Sequence, residues 1–450
     1  MANNKEAYQL FDVLSPIIHG VDQQSGKFHT FLPIASLTGN NGLGPSLDIN
    51  LFYSPEMQDL TFVNWGLRLS HYLESSVDPN TSNSNAASIL YLSTGEAWSL
   101  REDKFQGSPN FTTTFPGEND STMTIFRKDG TLEILEVHTT TLVIPGATFT
   151  ANLANYYILK KLVSPTGYSI TLNWENHKRP GFIKGANGID WYIPRLKSIS
   201  DESKTLLTVD YAPYDTFIAN TASSISIENI TTVEELNTFI KSDDSGTITF
   251  NVYPGDSNGY SLEFDISNKG LKKSSRNKST NATTFTYDLK NVAADGHVYT
   301  PRLTKIDHDT GITETIEYNT DDIKISKHSS SLNSKNISNL EYTYLLDQGK
   351  IKTTTAVNKI NNSSVQYYLD TNQTQFKEVF TSGNITRTTE SEFEYKNDNA
   401  DSTIRTTYTN AAGQSRTEEV SATLDVLGNI TSSTVKGVTT ERTYYRGMPK

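Results

Sequence analysis

Hydrophobic and polar residues alternate along most of this chain with a period of two. Leu47, Ile49, Leu51 and Tyr53 alternate with Ser46, Asp48, Asn50 and Phe52, and Trp65, Leu67 and Leu69 alternate with Gly66, Arg68 and Ser70. That period sends successive side chains to opposite faces and predicts strands with one apolar face. Phe28, Thr30 and Leu32 form one face of an earlier strand, with His29 and Phe31 on the other, and Pro33 is expected to break its ladder. Residues 38–45 are dense in Gly, Asn and Pro and predict a turn.

Further along, Asp129-Gly130 lies between two alternating arms, Phe126–Lys128 and Thr131–Leu135, the pattern of a tight hairpin. Leu159–Trp174 repeats it with Pro165-Thr166-Gly167 at the bend and Tyr168, Ile170, Leu172 and Trp174 on one face. Residues 78–88 and 106–121 read as polar loops, and Ile89–Leu92 and Ala97–Leu100 as strands. The chain also resembles itself. Pro194-Arg195-Leu196 leads to Tyr211 at the same spacing as Pro301-Arg302-Leu303 leads to Tyr318, so strand–turn–strand units are stacked in an array. One short helix is expected near 232–241, where Thr232 and Glu235 have capping-box spacing and Val233, Leu236, Phe239 and Ile240 share a stripe. The expected fold is all-β: long antiparallel hairpins in a continuous spiralling sheet, with a lead-in at 1–24, a first β region at 25–284 and shorter, looser units from 285 to 450.

Composition narrows the function classes. The 450 residues carry a formal charge of −12 and no block of Lys or Arg, which argues against nucleic acid as a partner. There are no cysteines, so disulfides, thiolate zinc sites and cysteine nucleophiles are excluded together. No basic start followed by an apolar run marks a secretory signal, and no window is long and apolar enough to span a membrane. The expectation is a protein made in the cytoplasm and exported by a specialised route.

A family resemblance rests on particular residues. Ser25-Gly26, Leu32-Pro33, Leu37-Thr38-Gly39-Asn40, Gly42-Leu43-Gly44-Pro45-Ser46-Leu47, Tyr53-Ser54-Pro55 and Trp65-Gly66-Leu67 resemble the opening of the bacterial Rhs, or YD-repeat, proteins. Lys128-Asp129-Gly130-Thr131 and Ser164-Pro165-Thr166-Gly167-Tyr168 extend the likeness to about residue 211. Tyr287-Asp288, Tyr368-Leu369-Asp370, Tyr408–Gln414 and Leu424–Ile430 look like degenerate YD repeats. The resemblance implies a non-catalytic part of a β-shell that encloses and delivers a toxic cargo. Its partners would be the remainder of the same polypeptide or an enclosed toxin domain, and a component of a delivery machine. The family's self-cleaving aspartate motif and variable toxin segment are not found in these residues.

Candidate chemistry is sparse. Gly255-Asp256-Ser257-Asn258-Gly259 has the G-x-S-x-G spacing of a nucleophile elbow, but a strand-like stretch follows where the elbow needs a helix, so a turn is expected. Asp307-His308-Asp309 sits at a turn and offers two carboxylates for a surface calcium ion or for solvent. Neither a cofactor site nor a resident metal is expected. Trp174, Trp191 and Tyr192 are candidate carbohydrate-binding residues, since rings stack on apolar sugar faces; core packing is the competing role. The alternative function is therefore a stand-alone carbohydrate- or cell-surface-binding β module.

Overall fold

The computed structural model describes residues 20–54, 65–73, 88–93, 97–101, 104–105, 111–114, 121–127, 129–143, 150–181, 189–212, 245–267, 270–277, 279–291, 299–319, 323–371, 374–396, 399–425, 430–445 and 448–449. Over these residues the protein is all-β, apart from one 3₁₀ turn at Asn40–Gly42. The helix expected near 232–241 and the loop at 78–87 lie outside the described residues.

From Ser169 to Glu441 every described strand pairs antiparallel with the next in sequence, hairpin after hairpin. The turns carry their residues for steric reasons. Gly130 and Gly167 have φ of 84° and 91°, values at which a Cβ would clash with the backbone. Upstream, Leu132–Val143 pairs along its length with Thr150–Val163 and, by its last three residues, with Asp190–Tyr192. The arms Thr150–Val163 and Ser169–Gly181 pair over three residues and then part, and His71–Leu73 takes the edge this exposes. Residues 106–121 do not form a continuous loop: Phe111–Thr114 is a strand paired with Thr124–Arg127. Alternating Thr with a buried Phe111 was enough for a strand once a neighbour supplied the ladder.

A second, separate sheet of Thr30–Thr38, Ser46–Tyr53 and Trp65–Leu67 lies against this ladder. Pro33 does not end its first strand. The strand runs through Pro33, opposite Asn50, and the register shifts between Pro33 and Ala35. A bulge beside the residue that lacks an N–H lets the pairing resume. Leu37, Ile49, Leu51, Tyr53 and Trp65 are fully buried, and they form one cluster with Leu172, Ile199, Leu207, Phe250, Phe264, Leu303 and Ile316 of the ladder.

The N-terminal sheet and the turn that precedes it cross the ladder rather than extending it, and they meet successive hairpins in reverse chain order. Thr354 Oγ1 donates to Gln23 O at 2.6 Å. Ile325 N donates to Gly26 O at 2.8 Å. The ring of Phe28 lies 5.4 Å from that of His328. Tyr260 OH donates to Ile34 O at 2.9 Å, and Thr38 N donates to Tyr253 OH at 3.2 Å. Asn40 N donates to Asp201 Oδ2 at 2.7 Å. Backbone polar groups that would be orphaned between two apolar layers are thus met by tyrosine and threonine hydroxyls. Gly26 is needed where it stands: its φ is 69°, and a Cβ there would come within 2.9 Å of the Tyr344 ring.

Candidate functional site

Among the described residues the most organised chemistry is a cassette built twice in the ladder. In one copy Arg302 stands opposite Asp288 on the neighbouring strand, and its Nε donates to Asp288 Oδ1 at 3.0 Å. Its guanidinium lies 4.5 Å from the centre of the Tyr318 ring, and Tyr318 OH donates to Leu303 O at 2.7 Å. In the other copy Arg195 stands opposite Glu175 and donates to it at 2.7 Å. It lies 4.5 Å over Tyr211, whose hydroxyl donates to Leu196 O at 2.8 Å. In both copies a register shift falls one residue before the acid, between Asn173 and Trp174 and between Thr286 and Tyr287. The Pro-Arg-Leu…Tyr repeat seen in the sequence is therefore a structural repeat. It also holds a member the spacing did not reveal: Trp174-Glu175 occupies the place of Tyr287-Asp288. Arms of unequal length hide that equivalence in the sequence, since Glu175 lies further from the end of its arm, Gly181, than Asp288 does from Asn291.

The N-terminal sheet plugs into one cassette. Leu303 N donates to Tyr53 OH at 2.9 Å, and Trp65 Nε1 donates to Tyr287 OH at 2.8 Å. Trp65 packs 5.4 Å from both Tyr53 and Phe285. Burial pushes the hydroxyls of Tyr53, Tyr287 and Tyr318 far above the usual phenol range, so they are neutral hydrogen-bonding groups.

A second polar cluster lies beside it. Glu314 accepts from His308 Nε2 at 2.6 Å and from His328 Nε2 at 2.8 Å. Burial pushes the Glu314 carboxyl up, but the two imidazole hydrogen bonds outweigh it and hold the group at about 2. The bond to Glu314 raises His308 in turn. Asp307, whose carboxylate was a candidate calcium ligand, instead binds Lys305 Nζ at 2.7 Å and accepts from Thr313 Oγ1 at 2.7 Å. Among the described residues no set of three His, Asp or Glu side chains is arranged to hold a metal ion.

The other candidates are placed as follows. Asp256, Ser257 and Asn258 form an exposed turn between Ser245–Val252 and Tyr260–Ser267, with Asn258 N donating to Asp256 Oδ1 at 3.1 Å. A strand, not a helix, follows Ser257, so the elbow geometry is lacking. Trp174 is half-buried against the core, and its indole N–H donates to Leu159 O at 2.9 Å. Trp191 and Tyr192 lie on Ile189–Ser200 opposite Arg179 and Lys178, while Trp174 lies opposite Leu196. Five residues of extended strand, ~17 Å, separate Trp174 from Arg179, so the three aromatic positions do not converge. No described helix is long and apolar enough to cross a membrane.

No family model matches the chain, and no curated protein matches it in sequence. Solved structures align with it at low identity. The crystal structure of TcdB2-TccC3 aligns with 95% of this chain at 11% identity and a TM-score of 0.34. The Photorhabdus luminescens Tc holotoxin pore aligns with 81% at 11% identity and a TM-score of 0.26. The N-terminal domain of the effector SpvB from Salmonella typhimurium strain LT2 aligns with 67% at 12% identity and a TM-score of 0.25. The aligned part is 30% of the TcdB2-TccC3 chain, 21% of the holotoxin chain and all of the SpvB domain.

Proposed function

We propose that this chain is a structural wall: a non-catalytic stretch of β-shell, of the Rhs or YD-repeat kind, that helps to enclose and deliver a toxic polypeptide after export. The observation that carries the reading is the continuous hairpin ladder from Ser169 to Glu441, braced on one face by an N-terminal sheet that crosses it. The residues with chemical potential support the same reading, because the carboxylates, arginines and tyrosines of both cassettes bind one another or the backbone.

Limited proteolysis of the native gene product tests it. A shell wall predicts that a polypeptide carried on the same product survives protease while the ladder is intact and is degraded once urea opens the ladder. Degradation of that polypeptide with the ladder intact overturns the reading. A glycan array tests the alternative: the wall predicts flat binding, and a specific hit weakened by Trp191→Ala would move carbohydrate binding to first place.

A further inference from the structure

The apolar face of the ladder does not stop where the N-terminal sheet stops. One cross-strand row runs Ala356, Val365, Phe380, Arg387, Tyr408 and Arg416. Ala356 is 1% exposed and belongs to the core, whereas Tyr408 is 43% exposed. Beyond Leu369 every residue whose side chain is described is partly or fully exposed. The six strands Gln375–Ser382, Ile385–Lys396, Asn399–Thr409, Ser415–Asp425, Ile430–Val435 and Val438–Glu441 thus form a single-layer ribbon. Its two faces differ. Thr407, Thr417, Thr434, Thr439 and the Arg405–Glu419 ion pair lie on one. On the other, Ile404, Val420, Val435 and Val438 pair in register as one row, 41%, 39%, 45% and 68% exposed.

From this geometry we propose that the apolar face of the ribbon is a self-association surface, and that a second copy of this chain covers it by stacking ribbon on ribbon. Three observations select that occupant. First, the face continues a surface that already packs against a β-sheet layer elsewhere in the same chain, so its shape suits another sheet at the ~10 Å spacing of stacked layers. Second, six strands at ~4.8 Å spacing, averaging about nine residues at ~3.3 Å, give a face of roughly 850 Å², close to the ~800 Å² per partner of a stable interface. Third, the pattern is self-complementary. A two-fold axis along the Ile404–Val438 row lays that row on itself. The charged groups of this face, Glu378 with Arg387 and Arg416 with Glu418, form their ion pairs within each copy; Glu378 and Glu418 stand in the row next to the apolar one, with Thr389 and Thr406 between them, and Arg387 and Arg416 lie one row further out. On its other side the row is flanked by Phe393, Ser402, Ala422, Ser433 and Thr440, whose small central members admit close approach.

The proposal is independent of the shell reading, which concerns what the wall encloses. Sedimentation equilibrium of the full chain from about 0.1 to 50 µM tests it, with Val420→Lys on the apolar face and Thr407→Lys on the opposite one. The expected result is a dimer for the parent and Thr407→Lys, and at least a tenfold weaker association for Val420→Lys. Because the chain has no native cysteine, a Val420→Cys variant gives a second readout: a short thiol-to-thiol linker should join two copies, and a Thr407→Cys variant should not be joined. Monomers throughout the range, equal dimerisation of both lysine variants, or equal linking at both positions overturns the proposal. Thus a Val420→Lys variant that fails to fold still leaves the cysteine pair to decide.

Discussion

Lys350–Asn358 and Ser415–Asp425 are both antiparallel strands rich in Thr with alternating apolar positions, yet Ile351, Thr353, Thr354 and Ala356 are buried and every residue from Ser415 to Asp425 is partly or fully exposed. The difference lies in what faces them. Thr354 hydrogen-bonds to Gln23, in the turn that leads into the crossing sheet, whereas the described side chains of the ribbon are all partly or fully exposed. Period-two alternation therefore encodes which side of a strand is to be covered, and a distant segment decides whether it is. In this chain the separation along the sequence reaches 331 residues.

Mutations that act through the second layer should separate the two regions most widely. Trp65→Ala removes a fully buried ring that touches Tyr53 and Phe285 and bonds Tyr287, and is expected to lower stability by about 3–5 kcal/mol in urea unfolding. Ile385→Ala in the ribbon, at a residue 57% exposed, should change it by less than about 0.5 kcal/mol. Ion pairs should show a smaller contrast. Arg302→Met strips a largely buried guanidinium from Asp288 and Tyr318 and is expected to cost about 1–2 kcal/mol, the partial exposure of Asp288 limiting the loss. Arg405→Met in the ribbon should leave stability close to unchanged, since both groups of its pair with Glu419 are about half exposed and solvent screens them. Single hydroxyls sharpen the contrast further: Tyr318→Phe should cost about 1 kcal/mol through the lost bond to Leu303, and Tyr408→Phe close to nothing.

The smallest expected effect is on pH dependence. Glu314 is held below its ordinary 4.5, so its contribution is present above that value and fades as pH falls towards about 2. His308 is raised above 6.5, so its contribution is full below that value and is lost as pH climbs through the raised one. Together they favour the folded chain most between about pH 4.5 and 6.5. Thermal melts should show Glu314→Gln flattening the profile on both sides of that window, with Glu419→Gln in the ribbon leaving it intact.

Much of the architecture was legible because it is local. Hairpins declare themselves where Gly or Asn supplies a positive φ between alternating arms, as at Gly130 and Gly167, and the Pro-Arg-Leu…Tyr spacing exposed a repeat that proved to be a cassette. Pro33 misled because a bulge can absorb a missing donor, and Phe111–Thr114 was masked by the Gly and Pro around it. The crossing of the N-terminal sheet was not legible. Tyr53 and Trp65 pair with Leu303 and Tyr287 across more than 220 residues, and nothing in the local pattern of either partner names the other. The same limit applies to the aromatic candidates. Alternation marked Trp174, Trp191 and Tyr192 as strand residues but could not say that Trp174 gives its N–H to Leu159 or that the positions lie apart along the strand pair.

Hydrogen exchange of the parent chain and Trp65→Ala, at a concentration dilute enough for monomers, tests the central claim that the crossing sheet is the second layer. In the parent, amides of the strands from Ser245 to Leu369 should exchange far more slowly than those from Gln375 to Glu441. In Trp65→Ala the first group should move towards the rate of the second, while the ribbon stays unchanged. If the Ser245–Leu369 amides keep their protection when Trp65 is removed, the ladder is stable without its cover and the account fails.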